Sequence, residues 1–137
     1  MPSETPVLVM KFGGSSLANS ERINAVASLI ESKLTRGIRP VVAASAMGDT
    51  TNTLVDLARS VSSSPHKRDY DLLLSTGEVV SCSLLSIALN ERGIPSRAVS
   101  GSEAGIITDK RHGQARIQHI DPSGLRSLLG NGITPIV

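Results

Sequence analysis

The chain has 137 residues, enough for one compact domain with a real core, and its 39% hydrophobic and 19% charged residues are ordinary for a globular protein. Its 14 basic and 12 acidic residues leave a net charge of +2, too small an excess to mark a nucleic-acid binder. Aromatic residues make up 1%, only Phe12 and Tyr70, so there is no stacking platform for single-stranded nucleic acid.

Residues 1–6, Met1-Pro2-Ser3-Glu4-Thr5-Pro6, lack a basic stretch and an apolar core, so they do not read as a signal peptide. No apolar run looks long enough to span a bilayer, and a cytoplasmic location with no membrane partner is the expectation. The first predicted element is the apolar run Val7 to Phe12, a strand expected to be buried on both faces of a parallel sheet. It ends on Lys11 and Phe12 and runs into Gly13-Gly14-Ser15-Ser16. A strand, a glycine turn and a helix N-terminus in succession suit an anion, because free backbone N–H groups and the helix dipole both point at it. Lys11 would add a positive charge. The spacing is not that of a Walker loop.

Asn19 or Ser20 can cap the following helix, with Glu21 in its first turn. Ile23, Val26, Ala27, Ile30 and Leu34 form its apolar stripe, and Gly37 ends it. Pro40 to Ser45 is the second strand, which completes a βαβ unit and points to an α/β fold. Ser45-Ala46-Met47-Gly48-Asp49-Thr50-Thr51 follows, with Thr50 or Thr51 expected to cap a helix whose stripe is Leu54, Leu57, Ala58 and Val61. In an open α/β sheet this loop would meet the glycine loop at the carboxyl ends of the strands, where ligands bind.

After a polar connection at 62–66, a helix pair is expected: Tyr70 to Leu74, then Val79 to Arg92, separated by Ser75-Thr76-Gly77-Glu78. Glu78 is either a first-turn glutamate favoured by the helix dipole or a carboxylate for a substrate ammonium group. Cys82, the single cysteine, excludes a disulfide framework and reads as a small buried residue. A short strand at Arg97 to Ser100 and a loop through Gly105 come next. Ile106 to Asp109 and Ala115 to Ile120 form a hairpin arm around the basic turn Lys110-Arg111-His112-Gly113. Asp121-Pro122 starts a helix with proline at its first position and Leu125, Leu128 and Leu129 on its apolar face. Ile133 to Val137 reads as the start of a buried strand, and the expectation is a piece of a longer chain. His66, His112 and His119 lack metal-ligand spacing, and no metal site is expected.

Together these motifs resemble the aspartate kinases of the amino acid kinase family. Lys11 to Ser16 match the family's Lys-Phe/Tyr-Gly-Gly-Ser/Thr-Ser opening, and Ser45 to Thr51 match its Ser-Ala-Met-Gly-Asp-Thr-Thr loop. Leu73 to Glu78 match Leu-Leu-Ser-Thr/Ala/Cys-Gly-Glu. Arg111 to Ile117 match Arg-His-Gly-Asn-Ala-Arg-Ile, with Gln114 in the asparagine's place.

The resemblance implies a three-layer α/β/α sandwich with a mostly parallel open sheet. It implies transfer of the γ-phosphoryl group of ATP to the side-chain carboxylate of L-aspartate. Lys11 would be catalytic. Lys11, Phe12, Gly13, Gly14 and Ser15 would bind the ATP phosphates, and Ser45, Thr51 and Glu78 the aspartate. Mg²⁺ would come with the nucleotide, and a homo-oligomer is implied at full length. Family chains continue into a Gly-Phe-Gln-Gly segment, the nucleotide-base half of the domain and regulatory ACT domains. By that pattern this chain is the truncated, N-terminal part, inactive alone. A related small-carboxylate or carbamate kinase and a ligand-binding fragment without activity stay open as readings.

Overall fold

The computed structural model describes residues 5–137; the signal-peptide reading rests largely on residues 1–4, which lie outside the described residues. Among the described residues, six strands and four α-helices follow in the order β1 (Val7–Phe12), α1 (Ser20–Leu34), β2 (Arg39–Ala44), α2 (Thr50–Val61), α3 (Lys67–Glu91), β3 (Ser96–Ala98), β4 (Ile106–Thr108), β5 (Ile117–Ile120), α4 (Ser123–Gly130) and β6 (Thr134–Ile136), with a short 3₁₀ turn at Gly14–Leu17. The main sheet is parallel throughout, in the order β1-β2-β6-β3, and β4 and β5 form a separate antiparallel arm. The steps from β1 to β2 and from β2 to β3 cross the sheet in one direction, and the step from β3 to β6 crosses back. Right-handed crossovers therefore lay α1, α2 and α3 on one face and α4 on the other, which is the expected layering.

The core lies between α1, α3 and one face of the sheet. Leu17, Ile30, Val42, Leu85, Leu89 and Ile136 are fully buried there. The stripe on α1 forms as its spacing predicts, and Asn19 caps the helix by accepting from the Arg22 N–H at 2.9 Å. Ser86, Asn90 and Ser96 join α3 to β3 through a small polar cluster, with the Ser86 and Ser96 hydroxyls 3.0 Å apart. Cys82 is buried, as its apolar neighbours suggest.

Several expectations fail for identifiable reasons. β1 is not buried on both faces. It is an edge strand, and Val7 and Val9 are 56% and 69% exposed while Met10 faces the core. Lys11, in register with Ala43, is exposed on the same open face, so it is not a lysine in a buried strand. The helix pair is one helix of 25 residues, with Gly77 in its interior. That glycine is a contact point rather than a break: a Cβ there would lie 2.9 Å from the Ala46 Cβ. The merged α3 is long enough for a membrane span and holds an 18-residue window with mean hydropathy 1.8, which the split reading hid. In this fold it packs on α1, α2 and β3, with Gly77, Ser81, Cys82, Leu85, Ser86 and Leu89 buried.

Neither Thr50 nor Thr51 caps α2. Asp49 holds that position and both threonines lie in the first turn. Of the α2 stripe, Ala58 is buried, but Leu57 and Val61 remain exposed. Pro122 sits at the N-cap of α4 rather than at its first helical position, a one-residue difference.

The close seat of Gly77 on Ala46 makes a stability prediction. Gly77→Val adds bulk where none fits and a β-branched residue to a helix, and is expected to cost about 2 kcal/mol or more. Urea unfolding would show a lowered midpoint; an unchanged midpoint would mean that α3 and the Ala46 loop are not tightly packed.

Candidate functional site

The site grows from the carboxyl ends of β1 and β2. Their loops are joined by backbone: the Ser45 N–H donates to the Phe12 carbonyl at 3.0 Å, and the Gly48 N–H to the Gly14 carbonyl at 2.9 Å. Gly14 suits this close approach, because a Cβ on it would lie 3.0 Å from both the Ala46 and Gly48 carbonyl oxygens, tighter than side chains usually tolerate against backbone. Gly13 differs. Its φ is −79°, and a Cβ would have nothing within 4 Å, so neither conformation nor packing demands glycine there. What the missing side chain leaves is open approach to the backbone.

The expected helix N-terminus is not directly behind the glycines. The Gly14–Leu17 turn intervenes, and α1 begins at Ser20. The Ser16 N–H is spent on the Gly13 carbonyl at 3.1 Å. Among the described residues, no backbone acceptor meets the N–H groups of Gly13, Gly14 or Ser15. Successive free amides in a turn are the kind of group that can bind an anion without help from a long helix. Lys11 lies just before them, exposed on the open face of β1.

The second loop is held from α3. Glu78 reaches the Ala46 N–H with Oε1 at 3.4 Å, and the Ser81 hydroxyl donates to the Ser45 carbonyl at 2.6 Å. Ser45 is half-buried, and Thr51 is exposed in the first turn of α2. So the structure brings Phe12 to Ser15, Ser45 and Glu78 into one bonded assembly, with Thr51 at its margin.

Behind Glu78 opens a cavity of about 350 Å³, bordered by Ser75, Glu78, Ser83, Ser100, Glu103 and Val137. Ser100 and Glu103 were not among the predicted site residues. Glu103 Oε2 accepts from the Ser100 N–H at 2.7 Å, and the Glu103 N–H donates to the Ser100 hydroxyl at 3.2 Å. That reciprocal pair is a capping box, and Ser100-Gly101-Ser102-Glu103 carries its Ser-x-x-Glu signature. The hydrogen bonds from Ser100, then the Arg97 charge, hold the Glu103 carboxyl below the ordinary glutamate range. Burial pushes the Cys82 thiol up, and the nearby Glu78 charge adds to this, so the thiol stays protonated and inert near neutral pH.

The basic turn does not join the glycine loop. Its tip meets the first turns of α3, where the Gly113 N–H donates to Asp71. Among the described residues, no group of three or more histidine, cysteine, aspartate or glutamate side chains is gathered for a metal.

The family model for the amino acid kinase family matches residues 6–137. The chain is 45% identical over 131 residues to the aspartokinase of Geobacillus stearothermophilus, covering 96% of this chain and 32% of that one. It thus spans about a third of the curated relatives it matches. Among solved structures, aspartate kinase from Synechocystis superposes with a TM-score of 0.80 at 41% identity, over 96% of this chain and 21% of that one. E. coli aspartokinase III, in complex with aspartate and ADP, has a TM-score of 0.74 over 96% of this chain and 40% of its own; at 22% identity it shows the fold alone.

The Ser100–Glu103 box has a pH signature. A carboxyl whose pKa is lowered by folding stabilises the fold fully above the ordinary glutamate pKa of about 4.3, and that stabilisation is lost as pH falls through the lowered value. The Ser100 amide resonance should therefore shift in acid, below that ordinary value, and Glu103→Gln should abolish the shift. A Ser100 amide that titrates unchanged in Glu103→Gln would refute the box.

Proposed function

The chain belongs to the amino acid kinase family, and from that premise we propose that it carries the phosphate- and acceptor-binding part of an aspartate kinase. The reaction is transfer of the γ-phosphoryl group of ATP to the side-chain carboxylate of L-aspartate. Its product is the acyl phosphate 4-phospho-L-aspartate, on the route to lysine, threonine and methionine. The observation that carries the reading is the bonded junction of the Gly13–Ser15 loop, the Ser45–Asp49 loop and Glu78 at one sheet edge. It joins a loop with free amides to a loop held by a carboxylate, and Lys11 lies just before the amides on the open face of β1; these are the charge types that a phosphate donor and an amino-acid acceptor need.

Phosphoryl transfer asks the protein for in-line positioning and for neutralised charge on the moving oxygens. Lys11 is the catalytic residue in this reading, its ammonium set against the β/γ phosphates as negative charge shifts toward the leaving oxygen. Phe12 and the amides of Gly13, Gly14 and Ser15 hold the phosphate oxygens, and open space at Gly13 lets them come close. Ser45 and Thr51 hold the aspartate, and Glu78 pairs with its α-ammonium through a charge-assisted bond. Mg²⁺ belongs to the proposal as a companion of ATP, held by the phosphates. The described residues gather no donor set of their own for it, so no step is assigned to it. A cytoplasmic location and a homo-oligomeric assembly complete the proposal, and the assembly is checked by sedimentation equilibrium.

The test grafts this chain in place of the matching segment of the Geobacillus stearothermophilus relative and traps the acyl phosphate with hydroxylamine. The graft should phosphorylate aspartate in preference to glutamate or N-acetylglutamate; preference for either alternative sinks the reading. In it, Lys11→Ala should lower kcat by about 10²-fold or more. Near-normal kcat would remove Lys11 from the phosphate site. Glu78→Ala should raise the aspartate KM by roughly 10- to 100-fold with a smaller effect on kcat. An unchanged KM would place Glu78 outside the acceptor site.

A further inference from the structure

The site described so far gives no task to the Arg111–Arg116 turn. Its placement is nevertheless specific. β4 leaves directly from the Ser100–Gly105 turn that borders the cavity, and the base of the arm is closed by the Asp121 N–H donating to the Gly105 carbonyl at 2.9 Å. The far end returns to the start of α3. There the Gly113 N–H donates to Asp71 Oδ2 at 2.8 Å, and His112 Nδ1 lies 3.3 Å from the same oxygen. Gly113 has φ +82°, a left-handed conformation that favours glycine at this tip. Within the turn, Asp109 Oδ1 accepts from the Arg111 and Arg116 N–H groups at 3.1 and 3.3 Å.

Two physical points give the Asp71 contact its weight. An isolated two-stranded arm is marginal in water, and every residue from Lys110 to Ile120 is exposed, so packing does not hold it. Along α3, Asp71, Ser75 and Glu78 fall at i, i+4 and i+7, one face of the helix. Asp71 lies about 10 Å along the axis from Glu78, and strands of this kind, at about 3.4 Å per residue, cover a comparable distance. The arm therefore has one fixed end at the turn beside the cavity and the other at Asp71, and these two ends bracket the part of α3 that carries Ser75 and Glu78.

We propose that Asp71 is a positioning residue: its carboxylate latches the tip of the β4–β5 arm to α3, and the latched arm fixes the Ser100–Gly105 turn at its base, which carries Ser100 and Glu103 to the cavity beside Ser75 and Glu78. Asp71 touches no substrate and acts through Gly113 and His112. The positioning role rests on the acceptor-site reading above; the latch does not.

The test uses the 137-residue chain, with amide hydrogen exchange by NMR and calorimetry with L-aspartate. In Asp71→Ala the Gly113 amide should exchange about tenfold faster or more while core amides such as that of Leu85 stay unchanged. The aspartate Kd should rise about fivefold. Asp71→Asn keeps one acceptor oxygen for the Gly113 N–H and should restore most of both. Unchanged Gly113 exchange in Asp71→Ala overturns the latch. Freed exchange with an unchanged Kd overturns the positioning role. If the unsubstituted chain binds no aspartate, the acceptor-site reading fails and takes the positioning role with it, while Gly113 exchange still decides the latch.

Discussion

The close approach of α3 to the loop after β2 is the constraint on which the rest depends. Gly77 lets the helix backbone come near enough that only the Ala46 methyl fits between. At that separation Glu78 reaches the Ala46 N–H, and Ser81 reaches the Ser45 carbonyl. The same loop is bonded to the glycine loop through Gly48 and Gly14. One small residue in the middle of a long helix thus fixes the spacing of three elements. A glycine in a helix interior costs about 1 kcal/mol against alanine, and here the cost is offset by contacts that alanine would push apart.

The edge position of β1 has a second consequence. A strand covered on both faces would have to bury the Lys11 ammonium, at a desolvation cost that only a partner charge could offset. With one face of β1 open, the lysine side chain stays in contact with solvent, and the residues that alternate with it, Met10 and Phe12, still anchor the strand to the core. The loop behind it then offers amides free of backbone partners, in a short turn rather than at the end of a long helix. The positive character at this edge comes from local N–H groups and one side chain, with little contribution from the α1 dipole, whose effect fades beyond the first turn.

Much of this was legible in the residues. The spacing of Ile23, Val26, Ala27 and Ile30 gave α1 and its buried face, and Asn19 or Ser20 was legible as its cap, of which the structure uses Asn19, because both signals are local. The parallel sheet followed from strand–helix–strand alternation, and the meeting of the two loops followed from the parallel topology. What failed was non-local. Whether Val7 and Val9 are covered depends on what packs over that face of β1, and no local pattern encodes it. Gly77 looked like a break because a glycine signals both helix ends and close contacts, and only the partner, Ala46, tells them apart. The Ser100–Glu103 box was readable from its spacing, but lay in a stretch without apolar periodicity and passed as a loop. The Asp71–Gly113 contact joins residues 42 positions apart and leaves no local trace.

The arrangement also separates charge in a way that suits two substrates of different kinds. Free amides follow β1, with Lys11 near the end of that strand, while Glu78 and Glu103 border the cavity beyond β2, toward β3. A phosphate chain placed over the carboxylates would be repelled, and an ammonium group placed over the amides would meet only donors. On the proposed reading, electrostatics would set the orientation before any close contact forms, because like-charge placement at about 4 Å costs on the order of 1–4 kcal/mol at the dielectric of a wet protein surface. The backbone bond from Gly48 to Gly14 holds the two regions at fixed spacing. That spacing, rather than any single side chain, would let a carboxylate held from one loop face a phosphate held by the other.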